Sequence, residues 1–321
     1  MRILVTGGAG YIGSTAAAIL LERGYEVTVL DDCSTGHASA VPSGAKFIQG
    51  SILDPQIVTD ALTGCEAVIH FAAKSLVGES VEKPDLYFDV NVNGTKNLLT
   101  QMSALKITKL VFSSTAATYG EPEVIPITEE ATTKPTSPYG STKLSVDQMI
   151  SKECESGLGA ISLRYFNVAG AFQSANGWLA ERHNPETHLI PNVLRATESK
   201  PLKVFGNDWP TQDGTPIRDY VHVVDLIDAH ILAIKALTPG AHKIINLGSG
   251  GGYSVSQVIK AAAKALGREI PIEISSRRAG DPTILIADIS KAEKVLGWKP
   301  TRDINAMVSD AWEAISADAR K

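Results

Sequence analysis

The chain has 321 residues, 44% of them hydrophobic, and a formal net charge of −5 at pH 7, which suffices for about two domains with a substantial core. No basic run is longer than Arg277-Arg278, so nucleic acid is not an expected partner, because a phosphate backbone binds to patches of Lys and Arg. No apolar stretch approaches the roughly 20 residues that span a bilayer, and the N-terminus lacks a signal-peptide pattern.

The cysteines also bear on the compartment. Cys33, Cys65 and Cys154 are odd in number and widely spaced. This is typical of reduced thiols rather than of a disulfide framework or a metal knuckle. We therefore expect a cytoplasmic protein.

A glycine-rich turn follows the first predicted strand. Ile3, Leu4 and Val5 predict a strand buried on both faces of a parallel sheet. The glycines that follow read as Gly7-x-x-Gly10-x-x-Gly13 or as Gly8-x-Gly10-x-x-Gly13. Without Cβ atoms the backbone can approach a pyrophosphate, and the next helix points its amides at the phosphates.

An acidic residue then indicates which dinucleotide binds. The pattern predicts a helix from Tyr11 to Arg23, a C-terminal cap at Gly24 and a second strand over 26–30, with Asp31 at its tip. A carboxylate there hydrogen-bonds the adenosine ribose and repels a 2′-phosphate. The sequence therefore predicts NAD rather than NADP.

The next elements continue an alternating α/β pattern. We expect a third strand over 46–49, a helix over 54–62 and a fourth strand ending at His70, which we interpret as a hydrogen-bonded structural histidine rather than an acid or base. A long helix is predicted over 81–105. The fifth strand, over 109–112, delivers hydroxyls at its carboxyl end from Ser113, Ser114 and Thr115.

A tyrosine and a lysine provide candidate chemistry. Tyr139 and Lys143 lie four residues apart in a helix predicted to run to about Glu155, so both project from one face. A free phenol titrates near about 10, so ionisation at working pH needs roughly 4 kcal/mol of anion stabilisation. The Lys143 ammonium and the positive nicotinamide of bound NAD can each supply part of it.

Several further motifs extend this pattern across the chain. They are Thr6 to Gly13, Val77-Gly78-Glu79-Ser80, residues 91–95, Arg164-Tyr165-Phe166-Asn167, Phe205-Gly206-Asn207-Asp208, Asp213-Gly214-Thr215, residues 218–223 and residues 277–281. With Tyr139 and Lys143 they make the chain resemble the extended short-chain dehydrogenase/reductase family, and within it the UDP-glucose 4-epimerases. The resemblance implies a doubly wound parallel NAD-binding sheet of the Rossmann type with a smaller C-terminal α/β substrate domain.

The resemblance implies an isomerase that interconverts UDP-glucose and UDP-galactose. Tyr139 looks like the catalytic base, Lys143 like its electrostatic partner and Thr115 like the hydroxyl on the sugar O4. Hydride leaves C4 for NAD, the 4-keto sugar turns over in the pocket, and hydride returns to its other face.

The resemblance also implies two sets of binding residues. Those implied for NAD are Gly7, Gly10, Tyr11, Ile12, Gly13, Asp31, Asp32, Ser34, Thr35, Gly36, Ser51, Ile52, Phe71, Ala72, Ala73, Ser75, Asn91, Ser113, Tyr139, Lys143 and Tyr165. Those implied for the UDP-sugar are Ser75, Thr115, Tyr139, Asn167, His188, Leu189, Lys203, Val204, Phe205, Arg218, Arg278, Asp281 and Leu285.

The chain departs from the family pattern at three of these positions. Ser51 stands where many relatives carry an adenine-binding Asp, and Ser75 where a Lys is common, although Lys74 is adjacent. Leu285 aligns with the residue that faces the C2 substituent of the sugar. Because Leu is intermediate between a bulky Tyr and a small residue, activity on N-acetylhexosamines stays open.

The segment 171–191 concentrates possible metal ligands. Glu181, His183, Glu186 and His188 lie close together, but the sequence carries no His-Glu-x-x-His signature and Pro185 interrupts the spacing. We interpret this segment as a loop of the substrate domain and expect no metal.

The resemblance also sets the expected organisation. We expect an NAD-binding domain over 1–167, joined again by 219–247, and a substrate domain over 168–218 and 248–321. In the second half Asp225 is predicted to cap a helix to Leu237, and Ser254 to open another with a capping box. The family usually forms homodimers through helices that correspond to about 82–105 and 139–155.

Alternative functions stay open at this point. The same scaffold could epimerise another UDP-sugar, such as an N-acetylhexosamine, a glucuronate or a pentose. A 4,6-dehydratase is disfavoured because Thr115 is followed by Ala116-Ala117 instead of the acid pair that eliminates water. A non-catalytic NAD-binding protein would not need Tyr139 and Lys143.

Overall fold

The first half of the chain and one later strand build a parallel sheet. The computed structural model describes residues 1–278 and 281–319. Its largest sheet has seven strands in the order β13-β6-β5-β4-β1-β2-β3, with every pairing parallel. These strands are β1 (Arg2–Thr6), β2 (Glu26–Asp31), β3 (Lys46–Gln49), β4 (Ala67–His70), β5 (Lys109–Thr115), β6 (Gly159–Tyr165) and β13 (His242–Leu247).

Helices cover both faces of this sheet, as the α/β pattern predicts. One apolar cluster joins Ile3 and Val5 to helices α1 (Tyr11–Glu22) and α8 (Val223–Ala236). A second cluster joins Leu4 on the opposite face to α2 (Pro55–Leu62), α5 (Gly94–Ala104) and α6 (Pro138–Cys154). Since alternate residues of β1 enter opposite clusters, the strand is buried on both sides, and the doubly wound fold is confirmed.

The strand order reverses at β1. It pairs with β2 on one side and with β4 on the other, so the connections leave in opposite directions and open a crevice at the carboxyl ends of the strands. Ligands of open α/β sheets bind in such crevices.

The predicted helix over 81–105 is wrong in its first part. The structure has a short helix α3 (Val77–Glu82), then α4 (Pro84–Tyr87), a π-helical segment over Phe88–Asn93 and α5. Pro84 has no amide proton and restricts the residue before it, and Lys83 accordingly leaves the helical region with φ −131°. The chain therefore restarts at Pro84 rather than continuing.

The remaining elements form a smaller lobe. Its strands pair in twos and threes, and a third apolar cluster lies among its helices. The strands are β7 (Asn167–Ala169), β8 (Phe172–Ser174), β9 (Gly177–Leu179), β10 (Leu202–Phe205), β11 (Ile217–Arg218), β12 (Tyr220–His222), β14 (Tyr253–Ser254), β15 (Ile272–Ser275) and β16 (Ile284–Leu285). The helices are α7 (Leu189–Leu194), α9 (Val255–Leu266) and α11 (Ile304–Asp318), whereas α10 (Ser290–Leu296) packs with α8 in the first apolar cluster of the large sheet.

The predicted helix caps had different outcomes. The capping box at Ser254 is confirmed, with Gln257 as its partner. The cap at Asp225 is wrong, because His222 caps α8 through its side chain. The Asp225 carboxylate is buried instead, and accepts hydrogen bonds from Thr301 and Arg302.

Among the described residues, no helix combines the length and hydropathy needed for a bilayer crossing.

The predicted structural role of His70 is confirmed, since its ring nitrogens lie 2.7 Å from Thr6 Oγ1 and 2.8 Å from Thr95 Oγ1. Burial lowers the pKa of this imidazole to about 3, with a smaller contribution from Lys143.

Candidate active site

The glycine turn lies at the carboxyl end of β1. Gly7 adopts φ +72° and donates its amide to Leu30 O at 2.8 Å. A Cβ on Gly7 would lie 2.6 Å from Ala72 N, and one on Gly13 would lie 2.1 Å from Gly7 O. Side chains are therefore excluded on both sides of the turn. Helix α1 begins directly afterwards, and no side chain caps its first amides, which stay available for an anion.

Asp31 is fixed at the tip of β2 by backbone amides. Ala9 N donates to Oδ2 at 2.9 Å and Cys33 N donates to Oδ1 at 2.7 Å. Burial raises the pKa of this carboxyl, and the two amides counteract the rise. The turn and the predicted ribose ligand are thus held together before any ligand arrives.

A first cavity, called the cofactor cavity below, runs along these elements. Most of the residues predicted to bind NAD line it. They are Gly7, Gly10, Tyr11, Ile12, Gly13, Asp31, Asp32, Ser34, Thr35, Gly36, Ile52, Phe71, Ala72, Ala73, Ser75, Tyr139, Lys143 and Tyr165. Thr115, predicted to contact the sugar, also lines it.

Three residues predicted to bind NAD do not line this cavity within the described chain. Ser51 lies between two lining residues, and Ser113 is buried behind the wall. Asn91 is also buried, and its amide holds both backbone groups of Lys74 at 2.8 and 3.0 Å. Lys74 itself lines the cavity and donates to Ser34 Oγ at 3.0 Å. A lysine therefore reaches this wall from position 74 rather than 75.

Helix α6 brings the tyrosine and the lysine to the cavity. Ser137 caps the helix by accepting from Gly140 N at 3.2 Å. A Cβ on Gly140 would lie 2.5 Å from Ala117 O, so the first turn of α6 packs directly on the backbone that follows β5. Tyr139 lies near Thr115, whose hydroxyl favours the ionised form of the phenol.

The two ionisable groups of the site, the Tyr139 phenol and the Lys143 ammonium, have shifted pKa values. Burial raises the pKa of the Tyr139 phenol to about 12, although the Thr115 hydrogen bond counteracts the rise. Burial lowers the pKa of the Lys143 ammonium to about 8, and Asp147 limits the fall. Lys143 Nζ donates to Ser113 O at 2.8 Å and lies 4.7 Å from the centroid of the Phe112 ring. The protein without cofactor therefore holds the phenol neutral.

A buried ion pair lies one helical turn beyond Lys143. Arg164 donates to Asp147 Oδ2 through Nε at 3.1 Å and Nη2 at 2.8 Å, and both side chains are at most 3% exposed. Ser114 donates to the same oxygen at 3.1 Å. Sequence reasoning missed this pair. The available signal was an arginine inside an otherwise apolar strand, Gly159–Tyr165.

A second cavity, called the substrate cavity below, lies between α7, β10 and β11. Nine residues predicted to bind the UDP-sugar line it, namely Asn167, His188, Leu189, Lys203, Val204, Phe205, Arg218, Arg278 and Asp281. Leu285 is not among its lining residues in the described chain; it pairs with Arg218 in adjacent strands. Asn167 lies two residues beyond the end of β6, at the start of β7.

The arginines of this cavity are partly engaged. The Arg278 guanidinium carbon lies 3.9 Å from the centroid of the Phe205 ring. Arg218 lies 3.8 Å from a carboxylate oxygen of Asp281 and donates to Ile217 O. Burial lowers the pKa of Arg218, and Asp281 counteracts this effect. Two guanidinium groups therefore face a cavity in which they are incompletely paired.

The two cavities meet. Asn167, Val168, Glu181 and His188 line both of them. Of these, Val168 and Glu181 were not predicted to bind any ligand, and neither was His183 in the cofactor cavity. Within the 181–188 loop only His188 was predicted to lie here, because the positions of Glu181 and His183 depend on how β8 and β9 fold back. A ligand that spans both cavities would pass these shared residues and reach Tyr139 and Thr115 inside the cofactor cavity.

Comparisons with known proteins agree with this arrangement. The family model described as "NAD dependent epimerase/dehydratase family" matches residues 3–248. A UDP-glucose 4-epimerase of Corynebacterium glutamicum is 52% identical, over 99% of this chain and 96% of that protein.

Two solved structures have the same fold. A UDP-glucose 4-epimerase from Stenotrophomonas maltophila, with NAD and formylated UDP-arabinopyranose bound, is 37% identical with a TM-score of 0.94, covering 100% of this chain and 99% of that one. The Bifidobacterium longum UDP-glucose 4-epimerase in complex with NAD+ and UDP is 37% identical with a TM-score of 0.92, covering 99% of each chain. The chain belongs to the NAD-dependent epimerase/dehydratase family.

Proposed function

We propose that the chain is an NAD-dependent isomerase that interconverts UDP-glucose and UDP-galactose. The observation that carries the proposal is that the cofactor cavity, which Tyr139, Lys143 and Thr115 line, opens into the substrate cavity through a shared wall that includes Asn167 and His188. The cofactor cavity suits a dinucleotide without a 2′-phosphate, and the substrate cavity presents two arginines to a diphosphate. The sugar of a nucleotide diphosphate sugar then lies where the cavities meet.

Tyr139 acts as the base in this proposal. Its phenolate accepts the proton of the sugar O4, while Thr115 orients that hydroxyl. When bound, NAD supplies the acceptor that takes the hydride from C4 and gives it back. Lowering the pKa of Tyr139 from about 12 to near 7 requires roughly 7 kcal/mol, at about 1.4 kcal/mol per pKa unit. Lys143 and the positive charge of the oxidised cofactor both contribute, so the phenol ionises when the cofactor is ready to accept hydride.

The substrate cavity explains how the sugar can turn. Arg218 and Arg278 hold the diphosphate by charge-assisted hydrogen bonds, and Phe205 and Leu189 contact the base. The firm contacts thus lie at the nucleotide end. The hexose, attached by a single bond to the anchored diphosphate, is free to present either face of its C4 carbonyl to the cofactor.

We further propose a homodimer. In the described chain, Val77, Val81, Leu86 and Phe88 expose between 38% and 64% of their surface, and they lie within about three consecutive helical turns of α3, α4 and the π-helical segment. Exposed apolar side chains that lie together mark interaction sites. A second copy that packs here would bury them, and Leu86 and Phe88 lie within the helix over about 82–105 that the family resemblance implies.

The compartment is also a proposal. The three cysteines are free thiols, two of them buried. Reduced thiols persist in the cytoplasm, where disulfides are rare. We therefore propose a cytoplasmic enzyme.

The test is the Tyr139→Phe variant. It removes the proton acceptor and keeps the ring, so we expect turnover of UDP-galactose to fall by about 10² or more, while NAD stays bound. Tyr25→Phe is the matched control, because Tyr25 precedes β2 at the amino ends of the strands, opposite the carboxyl ends where the site lies. Products are separated by chromatography with no cofactor added, and NAD content is measured after denaturation.

The outcomes are distinct. Near-normal turnover of the Tyr139→Phe variant would refute the role of the tyrosine. The wild-type protein could instead convert UDP-N-acetylhexosamines or the UDP derivatives of glucuronate or a pentose, but not UDP-galactose. That result would refute the proposed substrate and support the same epimerisation reaction on another UDP-sugar. Release of NADH in step with a single turnover would indicate a dehydrogenase instead.

A further inference from the structure

The loop between β9 and α7 gathers four side chains, of which only His188 is among the residues implied for the UDP-sugar. Glu181, His183 and His188 line the cofactor cavity, and Glu181, Glu186 and His188 line the substrate cavity. The loop therefore forms part of the wall between the two cavities. Its conformation decides the shape of both.

These side chains converge on one point. Each offers one ligand atom, and the four atoms all lie within 4.8 Å of one another. Glu181 Oε1 lies 3.0 Å from His183 Nδ1 and 2.7 Å from His188 Nδ1, and His188 Nδ1 lies 3.2 Å from Glu186 Oε1. Two imidazoles and two carboxylates thus point inward from a loop of eight residues, 181–188.

The spacing agrees with a tetrahedral metal site. Zinc binds imidazole nitrogen and carboxylate oxygen at about 2.0–2.2 Å, which puts neighbouring ligand atoms about 3.3–3.6 Å apart. The three short distances between ligand atoms, 2.7, 3.0 and 3.2 Å, need to lengthen by less than about 1 Å to reach that spacing. The widest distance between ligand atoms has to shorten by roughly 1 Å. Side-chain rotations within the loop suffice for such shifts.

Burial and charge favour a cation at the same point. The side chains of Glu181 and Glu186 are only 8% and 7% exposed. Glu186 Oε1, the oxygen that faces His188, also accepts from the backbone amides of Thr187 and His188 at 2.9 and 3.0 Å, whereas Oε2 lies 3.7 Å from Arg195. Two largely buried carboxylates that face one point favour a positive charge there.

We propose that Glu181, His183, Glu186 and His188 bind one divalent transition-metal ion, with Zn²⁺ as the best match. Mixed imidazole and carboxylate ligands suit zinc, whereas Ca²⁺ and Mg²⁺ take oxygen ligands. Four protein ligands close the coordination sphere, so the ion is structural and fixes the wall between the cavities. This inference is independent of the proposed function.

The earlier expectation of no metal rested on linear spacing. Pro185 breaks any regular helical spacing between the ligands. The loop instead brings its two ends together, because His188 lies next to both Glu181 and Glu186. The competing explanation is that a proton on His188, shared with the two glutamates, holds the loop without any ion.

Metal content separates these explanations. Tag-free protein is dialysed against a chelator, reloaded with Zn²⁺ or Co²⁺, and passed over a desalting column. We expect about one metal ion per chain and, with Co²⁺, the intense visible absorption of a tetrahedral site. A chain that retains no metal, or a Co²⁺ spectrum typical of octahedral coordination, would overturn the proposal in favour of the proton-held loop.

Variants locate the site. Glu186→Gln and His183→Ala each remove one ligand, and should weaken Zn²⁺ binding by at least roughly 10–100-fold, the loss that even an outer-shell partner of a metal ligand causes. The matched control is His242→Ala, because His242 bonds to Ser151 and Ser162 outside the loop. Unchanged affinity in the nearly isosteric Glu186→Gln variant would overturn the proposal even if His183→Ala failed to fold.

Discussion

The buried pair of Asp147 and Arg164 couples the stability of the sheet to the charge of the active-site lysine. Asp147 Oδ2 accepts from Arg164 and Ser114, and Oδ1 has no hydrogen-bond partner among the described residues. Asp147→Asn keeps the size of the side chain and removes its charge. The Arg164 guanidinium then stays buried, 4.9 Å from the centroid of the Tyr119 ring, without an anion.

The magnitude follows from the geometry. Removing one partner of a fully buried, hydrogen-bonded ion pair costs about 3–5 kcal/mol. At about 2–4 °C per kcal/mol for a large domain, Tm should fall by roughly 6 to 20 °C. Asp147 also raises the pKa of Lys143, which is about 8 with the pair intact. The variant should therefore lose turnover at a lower pH than the wild type, because Lys143 gives up its proton earlier.

The assay has two parts. Unfolding is followed by denaturant titration with bound NAD controlled, and turnover of UDP-galactose is measured from pH 6 to about 10. Asp60→Asn, on the exposed face of α2, is the control for loss of a carboxylate. If Asp147→Asn were as stable as Asp60→Asn, or if its alkaline limb coincided with that of the wild type, the coupling through Asp147 would be refuted.

Three further predictions concern the turn, the sugar and the pH. Gly13→Ala places a Cβ 2.1 Å from Gly7 O, so it should lower the free energy of unfolding by about 1–3 kcal/mol and the purified variant should retain little NAD. Gly78→Ala is the control, because nothing lies within 4 Å of a Cβ there. Equal NAD content in the two variants would contradict the prediction. If the wild type accepts N-acetylated UDP-sugars, Leu285→Tyr should lower their turnover selectively. Equal effects on both sugar classes in a paired assay would exclude a gate at this position. Burial lowers the pKa of His70 from 6.5 to about 3, so in the folded protein this imidazole stays neutral at a pH where it takes up a proton in the unfolded chain. The free energy of unfolding should therefore fall as the pH drops from 6.5 towards 3. In denaturant titrations at pH 7 and pH 5, the free energy of unfolding should fall less for His70→Asn than for the wild type.

Local patterns predicted the cofactor half of the site because its geometry is local. The glycine turn, Asp31 and Tyr139 each follow a strand or begin a helix whose residues are contiguous in sequence. Once the sheet is parallel, the carboxyl ends of its strands meet, and the residues that follow them share one edge. Apart from the helix that is interrupted before Pro84, the strand and helix bounds there agree with the predictions to within a few residues.

The features that were missed depend on contacts between distant segments. Asp147 and Arg164 belong to a helix and a strand whose packing sets their distance. Pro84 was a local signal for a helix break, but the prediction followed the periodic apolar pattern around it instead. The cap at Asp225 was wrong because residues near 301 compete for the same carboxylate, and no pattern near position 225 reveals that competition.

The position of β13 affects how the chain folds during synthesis. This strand forms an edge of the large sheet beside β6, and α8, which precedes it, covers one face of that sheet. Both elements follow much of the smaller lobe in sequence, so a ribosome has made about three quarters of the chain before they can dock. Until then the face beneath α8 stays open to water. The nascent chain therefore needs to fold its later residues back onto its earliest ones, and a fragment that ends after β6 would expose the core it has already built.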